Sequence, residues 1–210
     1  MFNRNDLRML FNVFLLNMKD RYLGSKLGLI WAVANPVLML AVFTFVFGFV
    51  FKSKIPGSET SLSYVIWLIS GYGPWLAISE GIMASTQSIV TNGGLIKNVV
   101  FKVEVLPFSG ALMGIVPLVV SLLFLAILIV VDGRTPSIEW LLIPFIVVVQ
   151  FLFIVGLGLF LSSMNVFMRD ISMALPNILL IILFASANLS NSLKSVPRYI
   201  VSEILTADED

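Results

Sequence analysis

The sequence predicts an all-α integral membrane protein, and three observations carry that prediction. Five long stretches hold no formal charge or a single one: Leu27–Phe51, Thr60–Val90, Pro107–Val131, Trp140–Met168 and Ile171–Leu193. A helix needs roughly 20 apolar residues to cross a hydrocarbon core of about 30 Å, and each stretch supplies them. Hydrophobic residues make up 59% of the chain and charged residues 12%, far fewer charges than the surface of a soluble domain carries. The apolar runs are also continuous, without the two-residue alternation of a membrane β-barrel.

The elements follow in order. Residues 1–26 form a cytoplasmic segment with a helical period: Leu7, Leu10, Phe11, Phe14, Met18 and Tyr22 fall on one apolar stripe. Asn5, Arg8, Asn12 and Lys19 lie elsewhere on the wheel, and Arg21 closes the segment's basic set. Such a helix lies in the membrane interface, the alternative being that it packs on other protein. Gly24-Ser25 stops it. The segment is expected to be retained, because Asn12 and Asn17 interrupt its apolar run and charges stand where a signal peptide would be cleaved.

The membrane-spanning body, 27–193, then carries spans near 27–51, 63–90, 107–131, 140–165 and 171–190. Pro36 is expected to bend the first. Pro56-Gly57 marks a turn in the loop after it. In the second span, Gly71, Gly73 and Pro74 predict a break or kink, tolerated in a membrane only where freed backbone faces protein or water. Thr91–Leu106 is the longest polar connection. Gly110-x-x-x-Gly114 in the third span has the spacing that permits close helix packing. Asp132-Gly133-Arg134-Thr135-Pro136 and Met168-Arg169-Asp170 are short turns, and 194–210 is a polar tail. Lys and Arg concentrate ahead of Leu27, so the N-terminus is expected in the cytoplasm, and five spans then place the tail outside.

Composition excludes several functions. A net charge of +1 with no clustered basic face argues against nucleic-acid binding. With neither Cys nor His, thiolate nucleophiles, disulfides, His or Cys metal ligation and imidazole chemistry are unavailable. No span holds paired carboxylates for proton or glycosyl chemistry, which disfavours an intramembrane enzyme. No Gly-x-x-x-x-Gly-Lys-Ser/Thr loop is present to cradle nucleotide phosphates, so an energised function requires an ATPase partner.

Four residues stand out as candidates for a substrate path. Glu80 is the ionisable residue deepest in a span, where a charge costs about 2.5–3.5 kcal/mol on insertion scales. It faces a cavity or partner, or else the span ends early and Glu80 lies near the cytoplasmic interface. Tyr72 and Trp75 flank the expected break, and Trp31 stands near the cytoplasmic end of the first span. Tyr and Trp offer a flat apolar face with a polar handle, which suits a sugar ring.

The segment Asp20-Arg21-Tyr22-Leu23-Gly24-Ser25-Lys26-Leu27-Gly28-Leu29-Ile30-Trp31, with Asn35-Pro36, resembles the opening of ABC-2 type permeases. The likeness continues through Ser70-Gly71-x-x-Pro74-Trp75, Asn92-x-x-Leu95-Ile96-Lys97, Phe101-x-x-Glu104-x-Leu106-Pro107 and Asn165-Val166-x-x-Arg169-Asp170. These are membrane subunits of exporters for O-antigen, capsular polysaccharide or teichoic acid. The resemblance implies a homodimer in the cytoplasmic (inner) membrane, exporting a lipid-linked glycan. It also implies a separate ABC ATPase subunit that holds ATP and Mg, with no cofactor bound by this chain. A coupling helix maps to Thr91–Leu106, with Asn92, Leu95, Ile96, Lys97, Phe101 and Glu104 as its contact residues. Lys102 stands where the family often has Pro. The family usually has six spans, whereas this sequence predicts five, and Ala185–Asp210 departs from the expected continuation. A non-transporting membrane scaffold or a truncated, inactive permease are the alternative readings.

Overall fold

The computed structural model describes residues 4–21, 26–51, 61–98, 101–133 and 138–195. Among them the chain is helical, with no strand. α1 spans Arg4–Arg21, α2 Ile30–Thr44, α3 Ser61–Thr91, α4 Gly93–Asn98, α5 Val105–Met113, α6 Ile115–Val131, α7 Ile143–Phe167 and α8 Asp170–Ser195. Tyr22, Gly24-Ser25, Pro56-Gly57, Arg134 and the tail from 196 onward lie outside the described residues.

Each expected span has its helix. Four are long and apolar enough to cross a membrane: Ile30–Val50, Leu62–Thr91, Val105–Val131 and Trp140–Phe167. The fifth is helical over Asp170–Ser195, yet its described apolar part, Asp170–Ser186, is shorter than a full crossing.

The first span opens on a turn in which Gly28 has a φ of 52°, a conformation glycine adopts without the steric penalty of a Cβ. Ile30 N–H donates to the Leu27 carbonyl at 3.1 Å and starts α2. The helix continues through Pro36 and ends as a π-helical turn, Phe45–Val50. The third span divides at Gly114, whose N–H donates back to Ala111 O at 3.1 Å. Pro117, in the first turn of α6, has no N–H to continue the ladder back into α5. The fourth span starts as a 3₁₀ turn, Ile138–Leu142, and runs on as α7.

Of the break or kink expected at Gly71–Pro74, the structure excludes the break. α3 is one continuous helix of 31 residues with Pro74 inside it. The N–H that Pro74 lacks would have served the Ser70 carbonyl; Gln150 Nε2 on α7 donates instead to the Pro74 carbonyl itself, at 3.1 Å, and ties α7 to this stretch of α3.

The chain forms two compact units, Met1–Met173 and Ala174–Asp210. In the first, α3 is the spine and packs against α5, α6 and α7. Small residues recur along it every four positions, at Gly73, Ala77, Gly81 and Ser85. A Cβ at Gly73 would lie 2.7 Å from Ser121 Cβ on α6, and one at Gly114 2.4 Å from the Ala77 carbonyl oxygen. Around Ser85 the approach is closest, because a Cβ on Gly110 of α5 would lie 2.5 Å from its Cα and one on Gly158 of α7 2.5 Å from its Cβ. Without a hydrophobic force between helices in lipid, such backbone proximity and its dispersion contacts supply the adhesion. Toward the end nearer Ser61, Leu40 of α2, Val65, Ile66 and Ile69 of α3 and Leu128 of α6 form an apolar core. The second unit is the remainder of α8, where Ile178, Leu180, Ile181, Ile182 and Phe184 are exposed.

Candidate functional site

The polar end of α3 gathers most of the residues singled out in the sequence. α3 continues past Glu80 for three further turns, to Thr91. The stretch from Ser61 to Glu80 already measures about 30 Å, the thickness of the hydrocarbon core. Glu80 lies within the candidate crossing Leu62–Thr91. It is not an isolated charge. Both guanidinium nitrogens of Arg21, the last residue of α1, donate to its two carboxylate oxygens, with Nη2–Oε2 at 3.1 Å. A planar fork meeting a carboxylate in this way fixes orientation as well as charge.

α1 is therefore held against the membrane-spanning body. Val13 is buried. Asn17 Nδ2 makes a long contact of 3.5 Å with Ser109 Oγ of α5. Near the other end, Lys102 Nζ pairs with Asp6 Oδ2 at 2.9 Å. Of the expected apolar stripe, Leu10, Phe14 and Met18 turn partly inward, while Leu7 and Phe11 remain exposed. One flank of this helix thus packs on protein and the other is open.

Between α1, α3 and α5 runs a polar groove of about 560 Å³, lined by Asn17, Asp20, Gln87, Thr91 and Asn92 beside the Arg21–Glu80 pair. On the pair's other side a cavity of about 80 Å³ lies beneath Pro36, bounded by Ala32, Asn35 and Met113. The ion pair is common to both.

The connection Thr91–Leu106 contains the short helix α4. Asn92 starts it, with its carbonyl accepting from Leu95 N–H at 3.0 Å and Ile96 N–H at 3.2 Å, while its own Nδ2 donates to Ser88 O at 2.8 Å. Leu95 borders a cleft with Met9, Asn12 and Leu16 of α1. Lys97 and Glu104 are exposed, and Ile96 and Phe101 are half-buried. Glu104 immediately precedes α5 without a side-chain capping bond.

The other candidates lie apart. Tyr72 is about two turns from Glu80 along α3 and tilts against Phe43 of α2, ring centroids 4.5 Å apart. Phe43 in turn stacks on Phe47, which meets Tyr64 at 6.0 Å, and Tyr64 meets Trp67 at 5.9 Å. Trp75 and Trp31 are half-buried and stack on no ring among the described residues.

Asn165 was legible only as part of a motif, and its geometry gives it a definite task. It is buried at the end of α7, where Nδ2 donates to the Thr86 carbonyl at 3.0 Å and Oδ1 accepts from Ser172 N–H at 3.2 Å. One amide thus ties the turn after α7 to α3. The four-residue recurrence of small side chains on α3, and Gln150 opposite Pro74, went unread for want of a partner sequence to set against them.

A spine of small residues, four apolar crossings and an amphipathic helix held at their boundary define a multi-pass helical membrane protein. Its sequence matches the ABC-2 type transporter family over residues 10–200, and the chain belongs to that family. The match extends past Ala185, where the likeness was expected to stop. Among its relatives are two O-antigen export system permease proteins RfbA of Klebsiella pneumoniae. One is 33% identical over 156 residues, 74% of this chain and 58% of the relative, and the other 33% identical over 162 residues. The RfbA of Myxococcus xanthus is 29% identical over 169 residues, 80% of this chain and 63% of its own length. The chain thus spans about three fifths of the length of these curated relatives.

Proposed function

We propose that this chain is the membrane-spanning permease subunit of an ABC exporter that carries a lipid-linked polysaccharide of the O-antigen, capsule or teichoic-acid class across the cytoplasmic membrane. The observation that supports this most is its 33% identity, over 74% of the chain, to a protein named as an O-antigen export permease. Two copies would enclose the path, with the N-terminus in the cytoplasm. A separate ATPase would hold ATP and Mg and dock on Thr91–Leu106. That segment offers a short helix between two long ones, with Lys97 and Glu104 exposed beside it. Tyr72, Trp75, Glu80 and Trp31 are the proposed path residues.

The test is co-purification from membranes of the host. An ATPase with a phosphate-binding loop should accompany the chain, and deleting the chain should trap glycan on the cytoplasmic side. A chain that purifies without an ATPase and whose loss leaves export intact is a scaffold instead.

A further inference from the structure

The groove between α1, α3 and α5 is walled by two rows of polar side chains. On α1, Asn17, Asp20 and Arg21 stand at i, i+3 and i+4, and on α3 Gln87 and Thr91 stand one turn apart. Ala84 and Gly110 add almost no side chain to the lining, while Met83 and Met113 give it apolar surface. The space of about 560 Å³ is in the range of pockets that hold a small organic molecule.

Part of this polar capacity is used within the protein. The Thr91 hydroxyl donates to the Gln87 carbonyl at 3.0 Å, and Asn92 Nδ2 donates to Ser88 O. The rest is open. Among the described residues the Gln87 amide and the Asp20 carboxylate meet no partner, and Asn17 has only its long contact with Ser109. Charge narrows what can fill the groove. Its lining holds two acids, Asp20 and Glu80, against one base, Arg21, which is paired with Glu80. The charge of Asp20 is left over, and no lysine lines the groove to balance it. An incoming phosphate meets like charge. A sugar meets amides and a carboxylate that exchange hydrogen bonds with its hydroxyls, and methionine surface for its C–H faces.

We propose that this groove binds an uncharged sugar unit, with Asn17 and Gln87 hydrogen-bonded to its hydroxyls and Asp20 accepting from them while keeping phosphate out. The inference rests on the proposed function, since the sugar is cargo only if this chain exports a glycan. Glu80, which borders the groove, is also one of the proposed path residues.

The test uses the full chain in nanodiscs and saturation-transfer NMR, which reads weak binding from the protons of the ligand. The probes are glucose, galactose, mannose and N-acetylglucosamine, each set against its own 6-phosphate. At least one neutral sugar should show transfer, and its phosphate should bind at least about fivefold more weakly, the cost of one like-charge contact in water. Asn17→Ala with Gln87→Ala should abolish the transfer. Asp20→Asn, which keeps the shape and removes the charge, should keep the neutral sugar and narrow its advantage over the phosphate. No transfer to any of these sugars, transfer that survives the double variant, or a preference that Asp20→Asn leaves unchanged each overturns the proposal. Transfer lost in Tyr72→Ala and kept in the double variant does so too, because the sugar would then sit among the aromatic rings. Should the double variant fail to fold, Asp20→Asn alone decides, since it is read in a chain that still binds. The proposed function fails differently: a chain that binds sugar here, purifies without an ATPase and can be deleted without loss of export keeps this site and is no exporter.

Discussion

Asn165 and Glu80 show how differently a single polar side chain can act in this protein. Asn165 is buried and serves two backbone groups at once, the Thr86 carbonyl and the Ser172 N–H. Asn165→Leu leaves both without that partner, and stranded buried polar groups cost about 1–3 kcal/mol. The variant should melt at lower temperature in detergent, while Asn165→Gln recovers part of the loss. Glu80 is different, because its ion pair is partly exposed, with side-chain exposures of 45% for Arg21 and 21% for Glu80. Solvent screens such a pair, and Glu80→Gln should cost less than about 1 kcal/mol in stability. Its effect should fall on how firmly α1 is held. Ala32→Cys, at a buried position beside the pair, should react faster with a water-soluble maleimide once Glu80 is neutralised. An unchanged rate would show that the pair does not close the cavity. The sequence announced Glu80 through its charge in an apolar run. It could not announce Arg21 as the partner, because 59 positions separate them and only the fold brings them together.

At the scale of elements, hydropathy located all five helices and the loop between the second and third spans, since apolar length is written locally. It allowed a break in α3 that the structure does not contain. Gly71, Gly73 and Pro74 disfavour a helix in water, but in the membrane the helical hydrogen bonds kept around Pro74 are worth more than local propensity. Glycine in this protein marks proximity, and the contrast can be measured. Gly71 has nothing within 4 Å of a built Cβ, so Gly71→Ala should be neutral or stabilise α3 slightly. Gly110→Ala would place its methyl group 2.5 Å from the Cα of Ser85, and backbone cannot yield as a side chain can. A loss of about 1–3 kcal/mol is expected, read as a fall in melting temperature and loss of the monodisperse peak. For the loop, Lys97→Glu with Glu104→Lys should reduce recovery of the ATPase while membrane insertion stays normal. Wild-type recovery would move the docking site elsewhere.

For the whole molecule, orientation is the property that sequence decides by statistics and the fold leaves open. Positive charge ahead of Leu27 argues for a cytoplasmic N-terminus. Five crossings from that start would place the other terminus outside. Protease added to intact spheroplasts should spare an N-terminal epitope and remove one placed after residue 195. Protection of both would mean that α8 does not cross, and that four crossings return the chain to the cytoplasm.

The double approach to Ser85 has a mechanical consequence. With Gly110 on one side and Gly158 on the other, α3 cannot advance along either neighbour by a residue without driving Ala84 or Thr86 into a space that holds no side chain. The three helices are keyed like a shaft in its hub, and any rocking in the proposed export cycle must carry them as one block. The compliant joints are then elsewhere: the π-helical end of the first span and the ion pairs of α1. Pairs of spin labels placed within α3, α5 and α7 should keep their separations between nucleotide states, whereas a pair linking α1 to α3 should not.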